Sequence, residues 1–223
     1  MKFPNAAKGM KKIYTSEILK LIATIFLIAA VIMIVIAVAG GQVGDNIGTA
    51  LAGGGLIGAG VCAIVWMVLV IIGSILKLVG IINASHDEES FKSALIFWII
   101  GAVAMIVSSI LIANNTNMAG SLLNTFSELL QLFITIFVIA GGVKLADRLN
   151  RGDVSAKGTN VLKLIIVVNI LSLIAQLVST FMGGIVASVV AGVIFLVALL
   201  LEVIQYFMYL SFLSKAKKML IKS

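Results

Sequence analysis

The stretch at residues 18–39 reads ILKLIATIFLIAAVIMIVIAVA, and it decides the class of fold. Lys20 is its only charged residue. At about 1.5 Å per helical residue, the run is long enough to cross a hydrocarbon core of about 30 Å. Five further apolar runs lie at about 56–82, 94–113, 122–145, 161–182 and 185–213. The sequence therefore predicts an all-α integral membrane protein with six transmembrane helices.

The whole composition agrees with a membrane protein and excludes a water-soluble domain. Hydrophobic residues make up 61% of the 223 residues and charged residues 11%, against about 45–50% and about 25% in soluble domains. Because the apolar runs are continuous and lack the alternation of barrel strands, helices are the expected spanning elements. Short polar breaks are expected at 40–52, 85–93, 114–121, 150–160 and 183–184.

The basic residues predict the orientation of these helices. All 16 lysines and arginines lie near the chain ends or around the second and fourth loops. Since cytoplasmic loops carry an excess of Lys and Arg, both termini are expected in the cytoplasm. The expected location is a bacterial cytoplasmic membrane, where the basic ends contact anionic lipid headgroups.

A weak internal repeat suggests how the helices are grouped. Lys20, Lys92 and Lys163 follow similar segments with a period of about 72 residues. We expect one membrane domain, 1–223, built from three parallel-repeat hairpins at about 1–83, 84–150 and 151–223, entering from and returning to the cytoplasm. The alternative is that each lysine independently reaches toward the headgroups from a helix end.

Glycines at the start of the second apolar run predict a helix contact. Gly54 and Gly58 have the small-x-x-x-small spacing that permits close backbone approach. No Gly-Lys-Ser or Gly-Lys-Thr follows them, which argues against a phosphate-binding loop. We therefore expect tight packing or a short re-entrant turn in this segment.

Polar residues inside the last three helices are the candidate binding residues, because such residues are costly in lipid and tend to face the bundle interior. The predicted substrate or ion ligands are Glu202, Gln205, Gln176, Asn169, Gln131 and Glu128. They predict a hydrated cavity between helices four to six that binds or conducts a small polar solute, a cation or a proton. Glu202 is the central candidate, since an unpaired acid near a helix centre costs about 2.5–3.5 kcal/mol.

Two other interpretations of the same residues stay open. Polar side chains also hold helices together through interhelical hydrogen bonds worth about 0.6–2 kcal/mol each. The chain would then be a non-transporting accessory, assembly or immunity subunit that recognises another membrane protein. Its six helices, short length and cytoplasmic ends also resemble the substrate-binding subunits of energy-coupling-factor vitamin importers. The first helix does not match that family's Ala-x-x-x-Ala docking surface, because the residue four positions after Ala23 is Leu27 and not alanine.

Several kinds of chemistry are not expected. His86 is the only histidine and Cys62 the only cysteine, so neither a disulfide nor a transition-metal site is predicted. No Ser-His pair or Asp dyad is present to act in catalysis, so we expect no enzyme and no cofactor. The basic ends lack interleaved aromatic residues, and nucleic acid is not an expected partner.

Overall fold

The computed structural model describes residues 2–43, 46–114, 117–181 and 184–223. Within these residues, every regular element is a helix. Inside these ranges, nothing is described for the side chains of 43, 46–47, 117–118, 121, 124, 128, 173, 175–181, 184–189 and 191. The helices are α1 (Pro4–Val43), α2 (Asn46–Ala84), α3 (Glu89–Ala113), α4 (Asn117–Arg148), α5 (Gly152–Phe181) and α6 (Gly184–Lys222). All six contain a segment long and apolar enough to cross a membrane. The predicted number of apolar helices is confirmed, and the chain is a multi-pass membrane protein.

The helix ends differ from those expected. Segments 40–52, 114–121 and 150–160 are predicted as polar breaks, but α2 begins at Asn46, α4 at Asn117 and α5 at Gly152. That prediction is wrong because hydropathy marks only the part of a helix that lies in hydrocarbon. Residues such as Ala50, Leu51 and Lys157 favour helix in water as well, so the helices continue beyond the apolar runs.

The chain divides into two compact units. One is Lys12–Gly80, here named the hairpin unit, which contains most of α1 and α2. The other, here named the main unit, combines the residues up to Lys11 with Ile81–Ser223. The expected grouping into three repeated hairpins and the cytoplasmic location of the termini stay predictions.

Small residues form the seam of the hairpin unit. Ala23, Ala30 and Ala37 are buried at seven-residue intervals along α1, a spacing typical of helices that cross at a shallow angle. Opposite them, a Cβ built on Gly55 would lie 2.7 Å from the carbonyl oxygen of Met33. The two helix backbones therefore approach each other closely along this seam.

The glycine contact predicted for α2 involves a different residue. A Cβ on Gly58 would meet the Met33 side chain, whereas nothing lies within 4 Å of a Cβ built on Gly54. The prediction is therefore wrong for Gly54, which does not face α1. Gly55 and Gly58 are the glycines of this segment that lie against α1. The re-entrant turn is also wrong, because these glycines lie inside continuous helix.

The core of the main unit lies at one end of its helices. The ring of Phe91, at the start of α3, covers Gly141 of α4, and the ring of Phe212, near the end of α6, covers Gly142 and Gly158. Other fully or nearly fully buried residues there are Ala6, Met10, Leu145, Val154, Val161, Leu213, Ala216 and Leu220. Segments from the beginning of α1 and from α3 to α6 therefore share one core.

Away from this core, α3 and α4 are joined by aromatic and hydroxyl contacts. Phe97 stacks against Phe133 and Phe137 with ring centroids 5.4 Å apart in each pair. Ser127 Oγ donates a 3.1 Å hydrogen bond to the carbonyl oxygen of Gly101. Ser108 Oγ donates one of 2.7 Å to the carbonyl of Gly120. These bonds fix the register of the two helices.

Most of the apolar surface of the spanning segments is exposed. In each of the six segments fewer than half of the residues are buried. Exposed examples occur along the whole chain and include Ile25, Leu56, Ile106, Phe133 and Leu196. Water would oppose such a surface, whereas lipid chains cover it without cost, so it agrees with a membrane environment.

Candidate functional site

Two of the predicted ligands on α4 and α5, Gln131 and Asn169, have described side chains, and Asn169 is bonded within its own helix. Asn169 is exposed, and its Nδ2 donates a 2.8 Å hydrogen bond to the carbonyl oxygen of Ile165 on the same helix. Gln131 is half-buried, and its backbone carbonyl oxygen accepts a hydrogen bond from Thr135. The side chains of Glu128 and Gln176 lie outside the described residues. Whether these four residues meet at one site stays a prediction, because only Asn169 and Gln131 have described side chains.

Glu202 occupies an unusual position on α6. Ala198 and Tyr209 are buried and Gln205 is half-buried, and the spacing of these residues places them on the same helix face as Glu202. Glu202 is nevertheless exposed. Its neighbours on the adjoining face, including Leu199 and Val203, are exposed as well.

Two polar groups of this face, on Glu202 and Gln205, have no partner among the described residues. Among the described residues, none makes a hydrogen bond or ion pair with Glu202. Gln205 Oε1 is buried without a hydrogen-bond partner in the same part of the chain. An ionisable group in a spanning helix is expensive unless something polar meets it, so this face of α6 is the first candidate site.

The hairpin unit contains a buried ion pair, Glu17 with Lys77, that the sequence did not predict. Lys77 Nζ lies 2.9 Å from Glu17 Oε1, and the two side chains are only 6% and 5% exposed. Lys20 Nζ lies 3.9 Å from the same oxygen. One carboxylate therefore serves two ammonium groups.

The position of Lys77 carried a usable signal for this pair. It follows Gly73 by four residues and Ala59 by eighteen, so all three share the face of α2 that packs on α1. A lysine on a packing face requires an acidic neighbour, because an unpaired buried charge is strongly unfavourable. Sequence alone could not identify Glu17 as the partner of Lys77, because it does not show which turn of α1 lies beside Lys77.

Acidic residues before α3 connect separate parts of the main unit. Glu88 is buried, with its carboxylate 2.8 Å from Arg148 Nη2 and 3.6 Å from Lys144 Nζ on α4. Asp87 Oδ2 accepts a 2.7 Å hydrogen bond from the backbone N–H of Ala6, in the first turn of α1. Since free N–H groups at a helix start favour a negative charge, Asp87 caps a helix distant in sequence.

A cleft with basic walls lies where the two ends of the main unit meet. Its volume is about 280 Å³, and it is lined by Lys2, Leu149, Arg151, Met219, Lys222 and Ser223. We name it the basic cleft. Three separated segments each contribute one cation, so the positive charge at this point is produced by the fold and not by a run of sequence.

Metal and cofactor chemistry has no described centre. Among the residues with described positions, no group of three or more His, Cys, Asp or Glu side chains could hold a metal ion. Cys62 is a half-buried free thiol. Comparison of the chain with protein-family models, curated proteins and solved structures gives no match.

Proposed function

We propose that this chain is a non-catalytic, non-transporting membrane subunit that associates with another membrane protein through the α6 face around Glu202. The observation that carries the proposal is the exposure of Glu202 on a face that is buried on either side of it, at Ala198 and Tyr209. A carboxyl group among exposed apolar side chains needs a polar partner in lipid. We therefore expect the partner to present a Lys or Arg at the depth of Glu202.

Four other described polar side chains of the spanning helices are bonded within the protein. Ser108 and Ser127 donate hydrogen bonds between α3 and α4. Asn169 and Thr135 bond to carbonyl groups of their own helices. The two serine bonds join neighbouring helices, whereas the bonds of Asn169 and Thr135 satisfy those side chains within one helix. Glu202 makes neither kind of bond with the described residues, so its carboxylate is available to a partner.

Photocrosslinking tests this proposal directly. A photoreactive amino acid at Val203, beside Glu202 and exposed, should give one discrete protein adduct in native membranes. We expect Glu202→Gln to lower its yield at least about fivefold, because removing one partner of a buried charge pair costs about 2 kcal/mol or more and about 1.4 kcal/mol corresponds to a tenfold loss of affinity. Lys163→Gln, which removes an exposed charge from α5, is the matched control and should leave the yield unchanged.

Two results would contradict association through Glu202. One is an adduct whose yield is the same in Glu202→Gln and in the parent protein. The other is a crosslinked partner segment, sequenced by mass spectrometry, that contains neither Lys nor Arg near the crosslink.

Binding or conduction of a small polar solute, cation or proton is the second candidate function. It is favoured by Gln205 Oε1, which is buried without a hydrogen-bond partner among the described residues one turn from Glu202. A hydrated cavity on this face would satisfy both groups. Transport would then depend on Glu202 and Gln205, with the other predicted ligands at its margins.

Thiol labelling separates the two candidates. In a Cys62→Ser background, a cysteine at 205 is compared with one at 204 after reconstitution into vesicles. A water-soluble maleimide reacts with the thiolate, which forms only where water reaches. Labelling at 205 alone would favour a hydrated path, whereas protection at both positions would favour a dry interface with a protein partner.

A further inference from the structure

We infer that the basic cleft is a binding site for a phosphate-bearing anion, either the headgroup of an anionic phospholipid or a soluble phosphorylated compound. The first observation is the convergence of three cations on one cavity. Lys2 precedes α1, Arg151 lies between α4 and α5, and Lys222 ends α6. Like charges repel, so a fold gathers them around a cavity at a cost unless an anion occupies it.

The backbone around Arg151 is held in a defined conformation. Asn150 has a φ of 53°, the left-handed conformation that ends many helices. The N–H of Arg151 bonds to the carbonyl of Ala146 at 2.8 Å, and that of Asn150 to the carbonyl of Asp147 at 3.0 Å. These two bonds form a Schellman motif, so α4 stops and α5 starts with Arg151 fixed between them.

The start of α5 adds to the attraction for an anion. α5 begins at Gly152, directly after Arg151, and the carbonyl of Arg151 accepts hydrogen bonds from Val154 and Ser155. The first N–H groups of a long helix carry partial positive charge and bind phosphate groups. Here this effect accompanies three side-chain cations around one cavity.

One acidic side chain competes for the site. Asp153 accepts hydrogen bonds from Arg151 Nε at 3.1 Å and Nη2 at 3.4 Å. Both side chains are about half exposed, so the pair is weak and can open. A phosphate would replace Asp153 on the guanidinium, because Arg binds phosphate oxygens through two parallel hydrogen bonds.

Two of the remaining wall residues are apolar. Leu149 and Met219 line the cleft beside the cations, and Met219 is almost fully buried. The cleft lies at the helix ends where the basic residues collect, which is where headgroups meet a membrane protein. A volume of about 280 Å³ leaves room for a phosphate with a small polar substituent.

Native mass spectrometry in detergent micelles tests the inference with phosphatidylglycerol as the probe. The cleft variant Lys2→Gln/Arg151→Gln/Lys222→Gln is compared with Lys8→Gln/Lys92→Gln/Lys218→Gln, which removes three exposed charges elsewhere. At about 1 kcal/mol for each lysine or arginine near a headgroup, we expect the cleft variant to bind at least about tenfold more weakly. The control variant should stay within about twofold of the parent protein.

A single substitution tests the site without weakening the fold. Asp153→Asn removes the competing carboxylate and should tighten binding of phosphatidylglycerol about two- to fivefold, whereas Asp147→Asn on the exposed end of α4 should not. Equal losses in the two triple variants would overturn the inference, as would unchanged binding by both Asp153→Asn and the cleft variant. Equal binding of zwitterionic phosphatidylcholine would also overturn it, since the site would then not select an anion.

Glycerol 3-phosphate distinguishes the two sources of the phosphate group. If it displaces phosphatidylglycerol at similar concentration, the ligand is a soluble phosphorylated compound. If only the lipid binds, the acyl chains contribute and the ligand is a phospholipid.

Discussion

At the scale of single residues, the two buried carboxylates, Glu17 and Glu88, differ in how exposed their cationic partners are. Glu17 neutralises Lys77, whose side chain is 6% exposed. Glu88 is equally buried, but Lys144 and Arg148 are 58% and 53% exposed. After loss of Glu88 its cations can be hydrated, whereas after loss of Glu17 the ammonium group of Lys77 stays buried.

We predict that Glu17→Gln lowers the free energy of unfolding by about 3–5 kcal/mol, the cost of leaving one partner of a buried ion pair alone. Glu88→Gln should cost only about 1–2 kcal/mol, because its partners are screened by water. Unfolding in mixed detergent micelles, followed by circular dichroism, measures both. Equal losses in the two variants would contradict the difference in burial as the cause.

The double variant Glu17→Gln/Lys77→Met should recover much of the stability lost in Glu17→Gln. Methionine keeps the length of the lysine chain and removes the unpaired charge, and buried ion pairs replaced by apolar groups are often as stable. The same unfolding assay measures the recovery. If the double variant is no more stable than Glu17→Gln, the ammonium group of Lys77 is not the source of the loss.

At the scale of elements, neighbouring glycines in α2 have opposite roles. Gly55→Ala places a Cβ against the backbone of α1, 2.7 Å from the carbonyl oxygen of Met33 and 3.0 Å from the nitrogen of Ala37. Backbone cannot rotate away as a side chain can, so we predict a loss of about 1–3 kcal/mol. Gly54→Ala is the matched control, since its Cβ meets nothing within 4 Å. It should stabilise the protein by up to about 1 kcal/mol, because alanine favours helix more than glycine does.

The turn between α4 and α5 gives a second prediction at this scale. Asn150→Ala should cost about 1–2 kcal/mol, because its φ of 53° is unfavourable for a residue with a Cβ and no local polar group. Asn150→Gly should be tolerated, since glycine adopts this conformation freely. Thermal unfolding in detergent compares the variants. A stable Asn150→Ala would show that the turn can adopt another conformation.

At the scale of the whole molecule, the predicted topology can be measured by cysteine labelling in a Cys62→Ser background. Single cysteines at 86 and 155 should react with a membrane-impermeant maleimide only after cells are permeabilised, because basic residues favour the cytoplasm. A cysteine at 114 should react in intact cells. Reaction of 114 and 155 from the same side would contradict the predicted crossing of α4.

The six helices could be predicted from sequence because each apolar run is long enough by itself. Their ends could not all be predicted, since the residues at 46–52 and 152–160 are polar enough to resemble loops yet belong to α2 and α5. The candidate sites depended on contacts that no single helix reveals. Glu202 was identifiable as an unusual acid, but Glu17 with Lys77, and Arg151 with Lys2 and Lys222, required the positions of neighbouring helices.

The core of the main unit can be completed only late in synthesis, because α6 contributes to it. Met10 and Phe212 both contact the position where a side chain would stand on Gly142, so a residue of α1 and a residue of α6, which is made later, complete the same interior. A ribosome therefore delivers five inserted helices before the closing partner emerges, and contacts so distant in sequence form slowly. During that interval the apolar surface that Phe212 later covers stays exposed.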